Sequence, residues 1–127
     1  SLFLIKKYKI NKNFILGHSD IAPERKKDPG ELFPWEILNK RKIGIWHNLK
    51  ENKLYKSREN KLKDTEKKIF FRNIKKFGYQ SKRKLTKSKK GFEKLLVKAF
   101  QRRFRPSLIN GIADQECLFI SNNLVKF

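Results

Sequence analysis

Apolar positions recur at helical spacing along much of the chain and crowd together in one short run. Leu2, Phe3, Ile5 and Tyr8 fit the inner side of a short helix, and Asn11-Lys12-Asn13 breaks it. Phe14-Ile15-Leu16 follows, an apolar run of the length of a buried strand, with Gly17-His18 at its end. From Ser19 to Phe33 the charged sequence carries Pro23, Pro29 and Gly30, which disfavours regular structure and predicts a long ordered loop, a kind of segment that often carries function. Pro34 suits the first position of a helix over about 34–43, with Trp35, Ile37 and Leu38 as apolar contacts. The basic last turn Lys40-Arg41-Lys42 and Gly44 are placed to end it.

Residues 47–66 are polar with almost no apolar periodicity and read as a connection, which places a domain boundary there. Beyond it, Ile69, Phe70, Ile74 and Phe77 follow helical spacing up to Gly78. Phe92, Leu95, Leu96, Ala99, Phe100 and Phe104 repeat the pattern more strongly up to Pro106. After a turn at Asn110-Gly111, Asp114 is a good N-cap for a last helix carrying Leu118, Phe119, Leu124 and Val125. The chain is thus expected to divide into residues 1–46, a linker over 47–66, and a three-helix unit over 67–127. Such a unit, at about 60 residues, is only marginally stable alone. No internal repeat is present.

Composition adds limits. A chain of 127 residues has the size of one ordinary domain or two very small ones, and 38% apolar residues with eleven Phe are enough to bury a core. The formal charge of +21 favours anionic partners such as nucleic acid, anionic lipid or an acidic polymer, without choosing among them. Lys, Asn and Ile are used heavily throughout, so solvated faces account for the same charge. The single Cys117 excludes an internal disulfide and any multi-Cys zinc module, and leaves zinc bound by His and carboxylate open. The longest apolar run, Leu2-Phe3-Leu4-Ile5, is far below the ~20 residues of a membrane-spanning helix and the roughly 7–15 of a signal-peptide core. With Ser1 first and no Met, the chain is expected to be a trimmed product or an excerpt of something longer.

The candidate chemistry lies in the proline-stiffened loop. His18 is followed ten positions later by Asp28; imidazole and carboxylate are both good zinc ligands, and a stiff loop can return the second to the first. Lys26, two residues before Asp28, is an ammonium able to stabilise an oxygen on which negative charge develops when an amide is attacked. Taken singly, each has a plainer reading: a lone His near a Gly as a surface or capping residue, one Lys among many as a solvated charge.

The whole string is Gly17-His18-Ser19-Asp20-Ile21-Ala22-Pro23-Glu24-Arg25-Lys26-Lys27-Asp28-Pro29-Gly30, running on through Leu32-Phe33-Pro34-Trp35. It resembles the second zinc-ligand segment of the zinc-dependent N-acetylmuramoyl-L-alanine amidases, bacterial and phage enzymes related to the peptidoglycan recognition proteins. The resemblance continues at Ile43-Gly44-Ile45-Trp46. The tail from Val97 to Pro106, with Asn110-Gly111, looks like the peptidoglycan-binding-like helical domain attached to several of these enzymes. By resemblance, His18 and Asp28 are zinc ligands and Lys26 is the oxyanion cation. The implied reaction is zinc-assisted hydrolysis of the amide between N-acetylmuramic acid and L-alanine, with peptidoglycan or muropeptides as partner. Asp20 has no family role and reads as a turn or capping residue; Trp35 and Trp46 are core residues or sugar-stacking ones.

The resemblance further implies an α/β fold class, residues 1–46 being the C-terminal part of a sheet domain, followed by an all-α three-helix domain. The family's first zinc-binding His and its general-base carboxylate precede this segment and have no counterpart here, and His47 lies where the family has no ligand. The chain alone is therefore expected not to hydrolyse peptidoglycan. The cell envelope is the expected location of the parent protein, with the cytoplasm as the alternative. Two other readings stand beside the enzyme: a non-catalytic wall-binding module over 67–127, and a basic nucleic-acid-binding protein. The last rests on charge alone, since no zinc-finger spacing or aromatic-glycine RNA-recognition motif supports a specific nucleic-acid partner.

Overall fold

The computed structural model describes residues 2–23, 25–79 and 89–126, and these are all-helical. In chain order the helices are α1 (Leu2–Lys7), α2 (His18–Ile21), α3 (Trp35–Lys40), α4 (Glu51–Ser57), α5 (Asp64–Lys76), α6 (Lys89–Phe104) and α7 (Gln115–Leu124). The expected α/β fragment is therefore overturned: among the described residues the one β contact is an isolated antiparallel bridge between Lys61 and Asp114. Residues 14–16 show the cause. A strand needs a neighbouring edge for its N–H and C=O groups, and these residues have none. Instead the Asn11 side-chain Oδ1 accepts the Asn13 N–H and starts a single 3-10 turn, Lys12–Phe14, which leaves Phe14 76% exposed.

The core gathers on α5, α6 and α7, as their apolar periodicity predicts. Phe70 and Ile74 of α5, Ala99 and Phe100 of α6, and Cys117 of α7 are fully buried, with Phe70 and Phe100 edge to face at 5.2 Å. Asp114 caps α7 as expected, accepting the Cys117 N–H. Its other oxygen accepts from the Glu59 N–H and from Arg105, while Arg58 holds Glu116 through two hydrogen bonds. The segment 47–66, read from sequence as a connection, carries α4, which packs on α7 and buries Leu54. Residues 80–88 of the expected three-helix unit lie outside the described residues.

Two helix ends set up the site. Gly78, at φ +92°, closes α5: its N–H bonds the Lys75 carbonyl and the Tyr79 N–H bonds that of Ile74, the paired bonds of a Schellman ending. This turns Tyr79 back into the core, where it is 3% exposed. Helix α3 ends the same way but at Lys42 rather than Gly44. Lys42 takes the left-handed conformation (φ +62°), its N–H bonding Asn39 and that of Ile43 bonding Leu38, so the helix is shorter than expected and Pro34 caps it from outside. Gly44, also left-handed, lets the chain pass over the Trp35 ring, which a Cβ would meet at 3.3 Å.

Not all apolar residues are covered. Leu2, Phe3, Leu4 and Tyr8 of the first segment, with Phe14 and Leu16, are exposed, and α1 buries nothing.

Candidate functional site

The loop expected to carry chemistry begins with one helical turn. Gly17 precedes α2, and its N–H is accepted by the Asp20 carboxylate at 2.8 Å, the capping role expected of Asp20. After α2 the chain turns on Ala22, whose carbonyl accepts the N–H groups of both Arg25 and Lys26, and returns so that the Asp28 carbonyl accepts the Ser19 N–H at 2.9 Å. The Asp28-Pro29 peptide is cis, and the proline ring lies on Gly17: a Cβ there would stand 2.4 Å from Pro29 Cδ. Only glycine permits that approach. The packing fixes the end of the loop against its beginning.

Its result is that His18 Nδ1 and Asp28 Oδ2 meet directly, on side chains that are 70% and 60% exposed. The hydrogen bond from His18 holds the Asp28 carboxyl below its ordinary 3.8, and the charge of Lys26 acts in the same direction. The structure thus brings His18 and Asp28 together, with the charge of Lys26 bearing on the Asp28 carboxylate. Zinc, the metal implied by the resemblance, fits the donors in type: one imidazole nitrogen and one carboxylate oxygen converge where a cation reaches both from solvent. Among the described residues no group of three or more His, Cys, Asp or Glu stands together, so they offer two of the four positions of a tetrahedral zinc. His47 is elsewhere engaged, stacked on Trp46 with Nδ1 accepting the Leu49 N–H, and burial pushes its pKa down.

What the sequence reading missed is how this loop is anchored. Asp20 is 3% exposed and pairs with Arg103 of α6, while the Tyr79 hydroxyl donates to its other oxygen. The Arg103 guanidinium also lies 4.0 Å from the Trp35 ring centre and donates to the Ile15 carbonyl. Trp35, 6% exposed, is thus a core residue. A signal was present: Arg103 follows Leu96, Ala99 and Phe100 on the inward stripe of α6, and a cation on that stripe requires a buried carboxylate.

No family model matches the chain. The N-acetylmuramoyl-L-alanine amidase AmiD of Escherichia coli is 32% identical over 123 residues, 97% of this chain but 44% of that protein. The 1,6-anhydro-N-acetylmuramyl-L-alanine amidase AmpD of Haemophilus influenzae is 56% identical over 34 residues, 26% of this chain and 18% of its own length. In structure, AmiD in complex with the substrate anhydro-N-acetylmuramic acid-L-Ala-D-γ-Glu-L-Lys superposes over 98% of this chain and 48% of that one, with a TM-score of 0.81 and 32% identity. AmpDh3 of Pseudomonas aeruginosa superposes over 98% and 50%, with a TM-score of 0.70 and 27% identity. The chain spans about half the length of these proteins or less. By sequence and by fold, nearly the whole length of the chain is similar to part of the N-acetylmuramoyl-L-alanine amidase AmiD.

Proposed function

We propose that residues 17–30 contribute part of the zinc site of a peptidoglycan amidase, with His18 and Asp28 binding the metal and Lys26 as the cation beside the reacting carbonyl. The observation that supports this is the meeting of His18 Nδ1 and Asp28 Oδ2 on an exposed edge, with the Lys26 charge bearing on the same carboxylate. Zinc held there would polarise the substrate carbonyl and acidify a water molecule. Lys26 stabilises the oxygen that gains negative charge as the amide between the N-acetylmuramoyl group and L-alanine breaks. The substrate class is the muropeptide, by analogy with the ligand of the Escherichia coli relative. Further zinc ligands and the general base belong to polypeptide outside the described residues.

In this reading residues 1–46 belong to the catalytic part, and 67–127, with the packed segment 47–66 that carries α4, form a helical wall-binding unit, with the cell envelope as the place of action. Calorimetric titration of the chain with zinc tests the site: one weak equivalent is expected, lost in His18→Ala and in Asp28→Ala. Zinc binding that survives both substitutions sinks the assignment. The chain by itself is expected to leave muropeptides uncleaved, so release of stem peptide that depends on His18 would show that the described residues suffice.

The two-donor set also favours a second reading, a wall-binding module without catalysis. Retention of the chain on purified sacculi at low salt, without zinc, supports it; no retention removes it.

A further inference from the structure

His18 begins a helix of four residues, and a single turn is too short to keep its own direction in water. The His18 ring is 70% exposed, so its aim follows from the turn that carries it. Two residues on, Asp20 fixes that turn. One of its carboxylate oxygens accepts the Gly17 N–H and pairs with Arg103, and the other accepts the Tyr79 hydroxyl. Burial holds the Tyr79 pKa well above its ordinary 10.0, so the hydroxyl stays a donor. Arg103 reaches further: it donates to the Ile15 carbonyl at 3.3 Å and lies over the Trp35 ring, whose edge a Cβ on Gly17 would meet at 3.4 Å. The chain is therefore gripped on both sides of His18 by two groups of the helical unit, Tyr79 after α5 and Arg103 of α6. Between this grip and the His18–Asp28 pair lies the Ser19 N–H, which the Asp28 carbonyl accepts at 2.9 Å, the backbone bond that closes the loop. Metal ligands must be held to within about 0.5 Å by groups that are themselves locked, and these are the groups so locked here.

We propose that Arg103 and Tyr79 are positioning residues of the metal site: acting through Asp20, they hold α2 at the angle that brings His18 onto Asp28. The helical unit is then a working part of that site and not a detachable anchor. That the ligand of His18 and Asp28 is zinc rests on the function proposed above; the grip on α2 does not.

The test uses the full chain and two variants. Asp20→Asn/Arg103→Met removes both charges, so that neither is left buried without its partner. Tyr79→Phe removes one hydroxyl and serves where the double variant does not fold. Amide hydrogen exchange, followed by NMR without metal, compares Ser19 with Leu118, whose N–H bonds the Asp114 carbonyl within α7. In the double variant Ser19 is expected to exchange at least about tenfold faster relative to Leu118, and zinc to bind about tenfold more weakly by calorimetry, the lower end of the loss usual when groups behind metal ligands are removed. Tyr79→Phe should move both readings the same way by about fivefold, the worth of one hydrogen bond. Ser19 and Leu118 quickening in equal proportion overturns the proposal, because the grip then serves general stability alone. So does a zinc affinity equal to the parent's in the variants that fold. A parent chain that binds no zinc defeats the metal assignment, and the exchange of Ser19 still decides the grip.

Discussion

Asp20 and Arg103, 83 positions apart, form an ion pair in which each side chain is 2% exposed. The carboxylate satisfies three groups at once, the guanidinium, the Tyr79 hydroxyl and the Gly17 N–H, which is what makes a buried charge tolerable. One residue thereby ties the start of the site loop to α6 and to the end of α5.

Removing the charge should be severe. Asp20→Asn leaves Arg103 buried without its counter-charge, and losing one partner of such a pair costs about 3–5 kcal/mol, against a total of roughly 5–15 kcal/mol for a typical domain. Urea unfolding of the variant should show a midpoint far below that of the parent, or no folded baseline. A loss under about 1 kcal/mol would mean the pair is solvated in solution.

Gly17→Ala tests the loop closure. Its Cβ would collide with Pro29, and overpacking of this kind costs about 1–3 kcal/mol. Because Pro29 follows Asp28, relief of the clash should carry the carboxylate away from His18 and weaken zinc binding even where the helices keep their circular dichroism. Unchanged zinc affinity would show that the contact does not depend on this glycine.

The Asp28 carboxyl should titrate below its ordinary 3.8, and His18→Ala should move its midpoint upward toward that value. With the folded-state pKa below the unfolded one, the contact adds stability above the unfolded value and loses it as pH falls through the folded one. Carbon-detected NMR of the carboxylate reads this directly, and a midpoint that ignores the substitution contradicts the contact.

Cys117 should be inert. It is fully buried, and burial pushes its thiol pKa up to about 12, so almost no thiolate forms at neutral pH. A thiol-disulfide reagent should label it only at the rate at which the core opens, and rapidly in urea. Fast stoichiometric labelling of the folded chain would contradict its place in the core.

How much of this was legible in the sequence differs by residue. Helices α6 and α7 were, because Leu96, Phe100 and Phe104 repeat at a period only a helix satisfies and Asp114 sits where a cap must. The strand at 14–16 was misread because three adjacent apolar residues carry no period, and only a neighbouring edge could have made them a strand. Helix α4 escaped notice since Leu54 is its one buried apolar residue. His18, Lys26 and Asp28 were singled out through the string around them, and the structure joins His18 to Asp28. The anchoring of that string by Asp20 and Arg103 joins distant segments, and no local pattern encodes a partner 83 residues away.

The uncovered Leu2, Phe3, Leu4, Tyr8 and Phe14 sit on a molecule of formal charge +21, and the two features act on its colloidal behaviour in opposite senses. Mutual repulsion keeps the apolar patches of separate molecules apart in dilute buffer, where the screening length is long. At about 1 M salt that length falls to roughly 3 Å, and the same patches are free to adhere. Added salt should therefore turn a monodisperse solution turbid, the reverse of the salting-in usually sought for a basic protein.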